Sequence, residues 1–374
     1  MKIYNAYMNT CSQWYEKDNI LQLSGSLYAY FGFDRGHGSD PYTDRFLQEH
    51  HPRTIIAVLI DALGSSIIDE HARSDGFFQR FRRRDLSTVF PPTTTAATTA
   101  FLTGHSPAEN GWLAWCQYFA EEDDHIVLLM NRSRYGEKKY PDSFTQTKLP
   151  AKPIYEYLNE NGIPAESVWP HWSKHNPSAS FAELLENAAE CAKDNRFVYA
   201  YWDELDSFLH VHGVHGEDVC REVQKLDAEA ERFAASLPED TVLLVMADHS
   251  QVEVTNYNLA EDIQLCDCLR MPPSFEPRTM TFMLKDGMED TFRRLFKERF
   301  GDAFLLLGKD ELLSSGLFGP GIPCARLADF IGDLTAIALT PLELDYRMSY
   351  RHRGNHAGMM KEERMIPLIL YAKK

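Results

Sequence analysis

Three acidic residues in this chain each close an apolar run, and two of them have a histidine nearby. TIIAVLI (54–60) ends at Asp61, FVYAYW (197–202) leads through Asp203 and Glu204 to Asp206, and TVLLVMA (241–247) ends at Asp248, followed by His249. In open α/β sheets, functional groups gather beyond the carboxyl ends of the strands. An aspartate there also serves as a helix cap, but three such ends together point to a shared site. In DELDSFLHVHG, Asp206 and His210 are four apart, which places both on one face of a helical turn. Carboxylate and imidazole at that spacing suit a zinc or manganese ion. His212 and His215 compete for the same role, and a surface acid beside a capping histidine is the plainer alternative. Asp248 and His249 diverge from a tight turn and so reach different points of one site. His356 sits in RGNHAG (353–358), where glycines allow a tight backbone to present it inward; an ordinary loop histidine is the alternative.

A different chemistry is suggested by STVFPPTTTAATTAFLTGHSP (87–107). Pro91 and Pro92 suit a helix entry, and the following threonines lead into the helical AATTAFL. A threonine at a helix N-terminus lies where backbone N–H groups and the helix dipole favour a phosphate. Its hydroxyl becomes a nucleophile only when a base or a metal activates it. The spacing alone leaves Thr93, Thr94 and Thr95 equivalent, and a cluster of capping threonines fits as well.

The elements that must position these residues alternate. The three apolar runs read as strands buried on both faces, and 126–130 and 365–372 are further strand candidates. Helical patterns cover 152–162 and the amphipathic stretch 217–237. Strands alternating with helices predict an α/β sheet with crossover connections. Residues 264–340, with a helix expected over 288–301, read as a smaller α+β subdomain inserted between a core of 1–263 and 341–374.

With 374 residues and 44% hydrophobic content, the chain can bury a large core. Its formal net charge of −17 excludes bulk nucleic acid as a partner, because a duplex binder needs a basic footprint. The one basic cluster, Arg80 to Arg84, reads as a solvated helix face. An anionic substrate stays compatible, since bound metal ions invert the local charge. The cysteines (Cys11, Cys116, Cys191, Cys220, Cys266, Cys268 and Cys324) form no regular framework, so free thiols and a cytoplasmic location are expected. The first twenty residues hold no apolar h-region, so no signal peptide is expected, and no apolar run is long enough for a membrane span.

Taken in order, the motifs resemble the alkaline phosphatase superfamily and, within it, the type I phosphodiesterase/nucleotide pyrophosphatase family. The resemblance runs through VLIDALG, FPPTTTAATTAFLTGHSPAENG, Asp206-x-x-x-His210, Asp248-His249 and Gly354-x-His356-x-Gly358, over roughly residues 54 to 370. It implies a three-layer αβα core with a mainly parallel central sheet. It also implies two divalent metal ions: one held by Asp61, Thr94, Asp248 and His249, the other by Asp206, His210 and His356. The family's nucleophile lies ten residues before the glycine of a Thr-Gly pair, and counting back from Gly104 selects Thr94. The implied reaction is an in-line displacement on a small phosphorylated substrate, through a phosphothreonine at Thr94. Oxygen and nitrogen ligands without thiolates favour zinc, then manganese. Two departures bear on specificity: Ala97 stands where many members have Asn, and Asn110 where the family has His. A monoesterase, phosphonate hydrolase or phosphomutase-like enzyme, and a non-catalytic metal binder, are the other readings. Tyr201, Trp202, Trp112 and Trp172 are expected to fill core more than to stack on a base, and His171 and His175 to lie in a loop.

Overall fold

The computed structural model describes residues 14–15, 18–347 and 351–373; Cys11 and most of the opening stretch lie outside the described residues. The main sheet contains, in chain order, β1 (Thr54–Ile60), β2 (Arg82–Ser87), β3 (Ala165–Pro170), β4 (Pro177–Ser178), β5 (Phe197–Trp202), β6 (Thr241–Met246) and β7 (Met365–Ala372). Across the sheet the order is β2-β7-β6-β1-β5-β3-β4. All neighbours from β6 to β4 pair in parallel, and only β7 runs against its neighbours β6 and β2. The apolar runs of β1, β5 and β6 are buried at every position, as strands covered on both faces must be.

Helices supply the two covers. The helices relevant to the site are α1 (Ile20–Tyr30), α2 (Thr94–Thr103), α3 (Glu204–His212) and α4 (Glu217–Ser236). Phe181–Ala192 packs on β5, β3 and α4, while Ile154–Glu160 packs on β3, β5 and α2, with α1 behind α2. The arrangement is the expected three-layer α/β core. All ten residues of α2 are buried. Ala96, Ala97 and Ala100 let it approach its neighbours, and Thr98 and Thr103 return their hydroxyls to the carbonyls of Thr94 and Thr99. Residues 20–40 pack beneath its C-terminal end: Ser24 Oγ, Tyr28 OH and Arg35 Nε donate to the carbonyls of Phe101, Leu102 and Thr103.

A second, antiparallel sheet stands beside the first. Its strand order is Phe304–Gly308, Leu334–Ala338, Thr279–Phe282, Ser274–Phe275, Cys116–Phe119, Asp124–Val127 and Arg132–Ser133. Residues 264–340 therefore share this sheet with the earlier stretch 116–133. Two local expectations change. The strand expected at 126–130 ends at Val127, and Leu128–Met130 is a 3-10 turn. Arg80 to Arg84 do not form one helix face: Arg80 and Phe81 end the helix Phe77–Phe81, and Arg82 opens β2. As an edge strand β2 carries charge that is paired where it is covered; Arg82 Nε donates to Asp85 at 2.7 Å and Arg84 meets the buried Asp40 at 2.8 Å. Among the described residues, no helix is long and apolar enough to cross a membrane.

Candidate active site

Strand register sets the geometry. Ile60 lies opposite Trp202, and Leu59 opposite Met246, so the residues that follow β1, β5 and β6 emerge at the same level of the sheet. Asp61 N donates to the Trp202 carbonyl at 2.8 Å. Asp248 Oδ1 is held by the amides of Ala62 at 3.2 Å and His249 at 2.9 Å. The N-terminus of α2 points at this level and delivers Thr94. Its Oγ1 lies 3.2 Å from Asp61 Oδ2 and 3.1 Å from His249 Nε2. His249 Nδ1 donates to the Ser250 carbonyl at 3.2 Å, so Nε2 presents a lone pair. The single Thr94 hydrogen is thus contested by two acceptors.

Beside this group stands a second. Asp206, on the first turn of α3, has Oδ2 3.2 Å from His210 Nε2 and Oδ1 3.8 Å from His356 Nε2. His210 Nδ1 donates to the Gly354 carbonyl at 2.9 Å, and His356 Nδ1 to the Pro92 carbonyl at 3.0 Å. With both Nδ1 atoms committed, each Nε2 faces a carboxylate oxygen of Asp206, a position where either a proton or a bound cation joins the two. His249 and His356 stack at 3.8 Å between ring centroids and join the two groups. All seven residues singled out from the sequence therefore come together here.

The site is charged and largely buried. Asp61 Oδ1 and Asp248 Oδ2 are buried and accept no hydrogen bond. Burial, then the charges of Asp248 and Asp206, push the Asp61 carboxyl well above the usual range, against a hydrogen bond from Tyr201 OH. Burial also raises Asp248, although His249 opposes it. Asp206 behaves oppositely. Burial alone would raise it, but His210, His356 and His249 together hold it far below an ordinary carboxylate. Burial would lower His210, and Asp206 reverses that and raises it; His356 is pushed well down by burial and by His249. Ligand-type atoms of Asp206, His210 and His356 lie within 4.8 Å of one another, as do those of Asp61, Asp206 and His249. Two adjacent clusters sharing Asp206, with orphaned carboxylate oxygens, fit a pair of divalent cations.

A model of the type I phosphodiesterase/nucleotide pyrophosphatase family matches residues 55–281, more than half of the chain. The chain belongs to this family. It is accordingly an enzyme that hydrolyses phosphoric ester bonds. No curated protein matches it by sequence. Among solved structures, murine ectonucleotide pyrophosphatase/phosphodiesterase 5 is similar at a TM-score of 0.64 and 16% identity, over 84% of this chain and 87% of that one. Phosphonoacetate hydrolase from Sinorhizobium meliloti 1021, solved with phosphonoformate, is similar at a TM-score of 0.62 and 15% identity, over 85% of this chain and 90% of that one. These likenesses support the superfamily fold.

The site opens into a cavity of about 720 Å³ that reaches Asp61, Thr94 and Asp206. Its walls include Trp112, Trp115, Trp169, Trp172, Tyr155 and Tyr201. Of the aromatics weighed from sequence, Trp112, Trp172 and Tyr201 face this cavity, while Trp202 packs on Phe181. His175 turns to Glu166 at 2.7 Å, away from the site. His212 stacks on Phe208 and His215 meets Glu70, so neither displaces His210. Several residues support the site in ways the sequence did not signal. Gln251 Nε2 donates to Asp206 Oδ1 at 2.6 Å, Tyr201 steadies Asp61, and buried Glu276 accepts from Thr93 Oγ1 at 2.7 Å and from the Trp115 amide at 2.6 Å. The glycines of RGNHAG serve close approach rather than positive φ. A Cβ on Gly354 would stand 2.7 Å from the Leu209 carbonyl, and the positive φ, 83°, falls on Ala357.

Proposed function

We propose that the protein is a two-metal phosphodiesterase in which Thr94 is the nucleophile. The observation that carries this reading is the Thr94 hydroxyl, 3.2 Å from Asp61 and 3.1 Å from His249, at the N-terminus of a buried helix. Asp61, Asp248, His249 and the Thr94 oxygen would hold one ion, and Asp206, His210 and His356 the other. The ions supply Lewis-acid stabilisation of charge on the reacting oxygens and offset the three aspartates; zinc suits the donor set best and manganese next. The chain's own contribution is placement. The α2 N-terminus points its free N–H groups and dipole at the phosphoryl group, while Asp61 and His249 fix the position of Thr94 Oγ1, whose proton is lost to solvent as the bound ion would lower its pKa. Attack of that oxygen on phosphorus breaks the bond to one ester oxygen, which leaves and takes up a proton as the alcohol, and gives phosphothreonine; water then cleaves the phosphothreonine, releasing the phosphomonoester and restoring the Thr94 hydroxyl. A roomy aromatic cavity suits an ester with a bulky planar or apolar group, such as a nucleotide-like diester, better than a compact dianion such as phosphonoacetate.

Thr94→Ala is expected to lower kcat on bis-p-nitrophenyl phosphate by about 10³-fold or more while retaining bound metal. If Thr93→Ala or Thr95→Ala has that effect and Thr94→Ala does not, the nucleophile is misassigned. Faster turnover of p-nitrophenyl phosphate than of the diester would instead identify a monoesterase.

A further inference from the structure

Behind the Asp206 half of the site lies a fully buried carboxylate with no part in the chemistry just described. Glu343 belongs to the strand Leu342–Asp345, which pairs in parallel with Thr255–Asn258. Asn256 Nδ2 donates to its Oε1 and Asn355 Nδ2 to its Oε2, each at 2.5 Å, while His352 Nδ1 lies 3.4 Å from Oε1. A buried carboxylate is tolerated when several donors converge on it. Here the donors come from two separate stretches of chain, and each stretch is thereby pinned to the other. Asn256 Nδ2 also reaches the His352 carbonyl at 3.2 Å.

The pinned stretch, 352–356, orients both imidazoles that face Asp206. Asn355 Oδ1 accepts from the His356 amide at 2.8 Å. The Gly354 carbonyl fixes His210 Nδ1 at 2.9 Å, and Arg353 N donates to the His210 carbonyl at 2.8 Å. The His352 ring packs on His210 with centroids 4.6 Å apart. The Asp61–Asp248 half is instead held by the ends of β1 and β6 and by Tyr201.

We infer that Glu343 is a positioning residue for one half of the site: through Asn355 and His352 it aims His356 and His210 at Asp206, and so sets the affinity for one of two metal ions. This rests on the two-metal reading above. The test is a zinc titration of the chelator-stripped full chain, with kcat and KM measured alongside. The parent should take up two equivalents. Glu343→Gln places an N–H against the N–H of Asn355 or Asn256, and is expected to weaken one equivalent by about 10–100-fold while leaving the other unchanged. Adding Asn355→Asp restores the bond with reversed polarity, the glutamine donating to the new carboxylate, and should recover most of the lost affinity. Combining Glu343→Gln with His210→Ala should weaken no second equivalent, whereas combining it with His249→Ala should weaken both. Parental binding of both equivalents in Glu343→Gln, or equal weakening of both, overturns the inference. If that variant does not fold, Asn256→Ala decides: a smaller loss in one equivalent supports the assignment, and parental binding overturns it. Fewer than two equivalents in the parent overturns the two-metal reading itself, and this inference with it.

Discussion

The two halves of the site solve opposite electrostatic problems. Around Asp61 and Asp248, two carboxylates are buried side by side with one oxygen each left unpartnered, and both titrate above their ordinary range. Around Asp206, one carboxylate faces two imidazoles and titrates far below it. The first half is frustrated without a cation; the second neutralises itself when His210 takes a proton. Their construction differs too. The first half grows from adjacent strand ends whose register is enforced by a fully buried sheet. The second is assembled from α3 and a distant loop that Glu343 holds in place. Rigid strands can hold like charges together, whereas a loop-borne ligand needs its own support.

The largest contrast should appear on replacing one ligand from each half. Asp61→Asn removes a charge from the frustrated half and is expected to lower kcat/KM by about 10²–10³-fold, against about 10–100-fold for His210→Ala. Equal losses in diesterase assays would erase the distinction.

A smaller effect concerns stability after chelation. The folded-state pKa of Asp61 is raised above its unfolded value. Its contribution is therefore fully present below the unfolded pKa and lost as pH rises through the folded one. Chelated Asp61→Asn should melt above the chelated parent at pH 8, and the gap should narrow towards pH 5. Saturating zinc should reverse the order, because the parent then gains more from binding. A gap between the chelated proteins that ignores pH would show that Asp61 is not the strained group.

The smallest effect belongs to Tyr201, whose hydroxyl donates to Asp61 Oδ2. Tyr201→Phe should cost about 1 kcal/mol of transition-state stabilisation, near five-fold in kcat/KM, because Asp61 keeps its place on the strand end. A loss as large as that of Asp61→Asn would make the tyrosine part of the reacting machinery.

Much of this was legible in the sequence because the site follows simple periodicities. Apolar runs buried on both faces announce their strands, and an acid directly after such a run must emerge at the sheet edge. Asp206 and His210 share a helical face by spacing alone. The run RFRRR misled for Arg82 to Arg84, because charge pattern does not distinguish an exposed helix from the edge strand those three residues open. Glu276, Gln251 and the group around Glu343 left no periodic trace. Each acts through partners far away in the chain, as when Glu343 gathers Asn256, His352 and Asn355.

The order and type of the chemical groups, and the level of the sheet at which they appear, were determined by the sequence itself, since local hydrophobic pattern dictates strands and strand ends. Which oxygens are left without partners, which histidine nitrogen faces inward and what braces it were decided only by tertiary packing. Those properties depend on contacts between segments as distant as Pro92 and His356, whose sequences carry no record of each other.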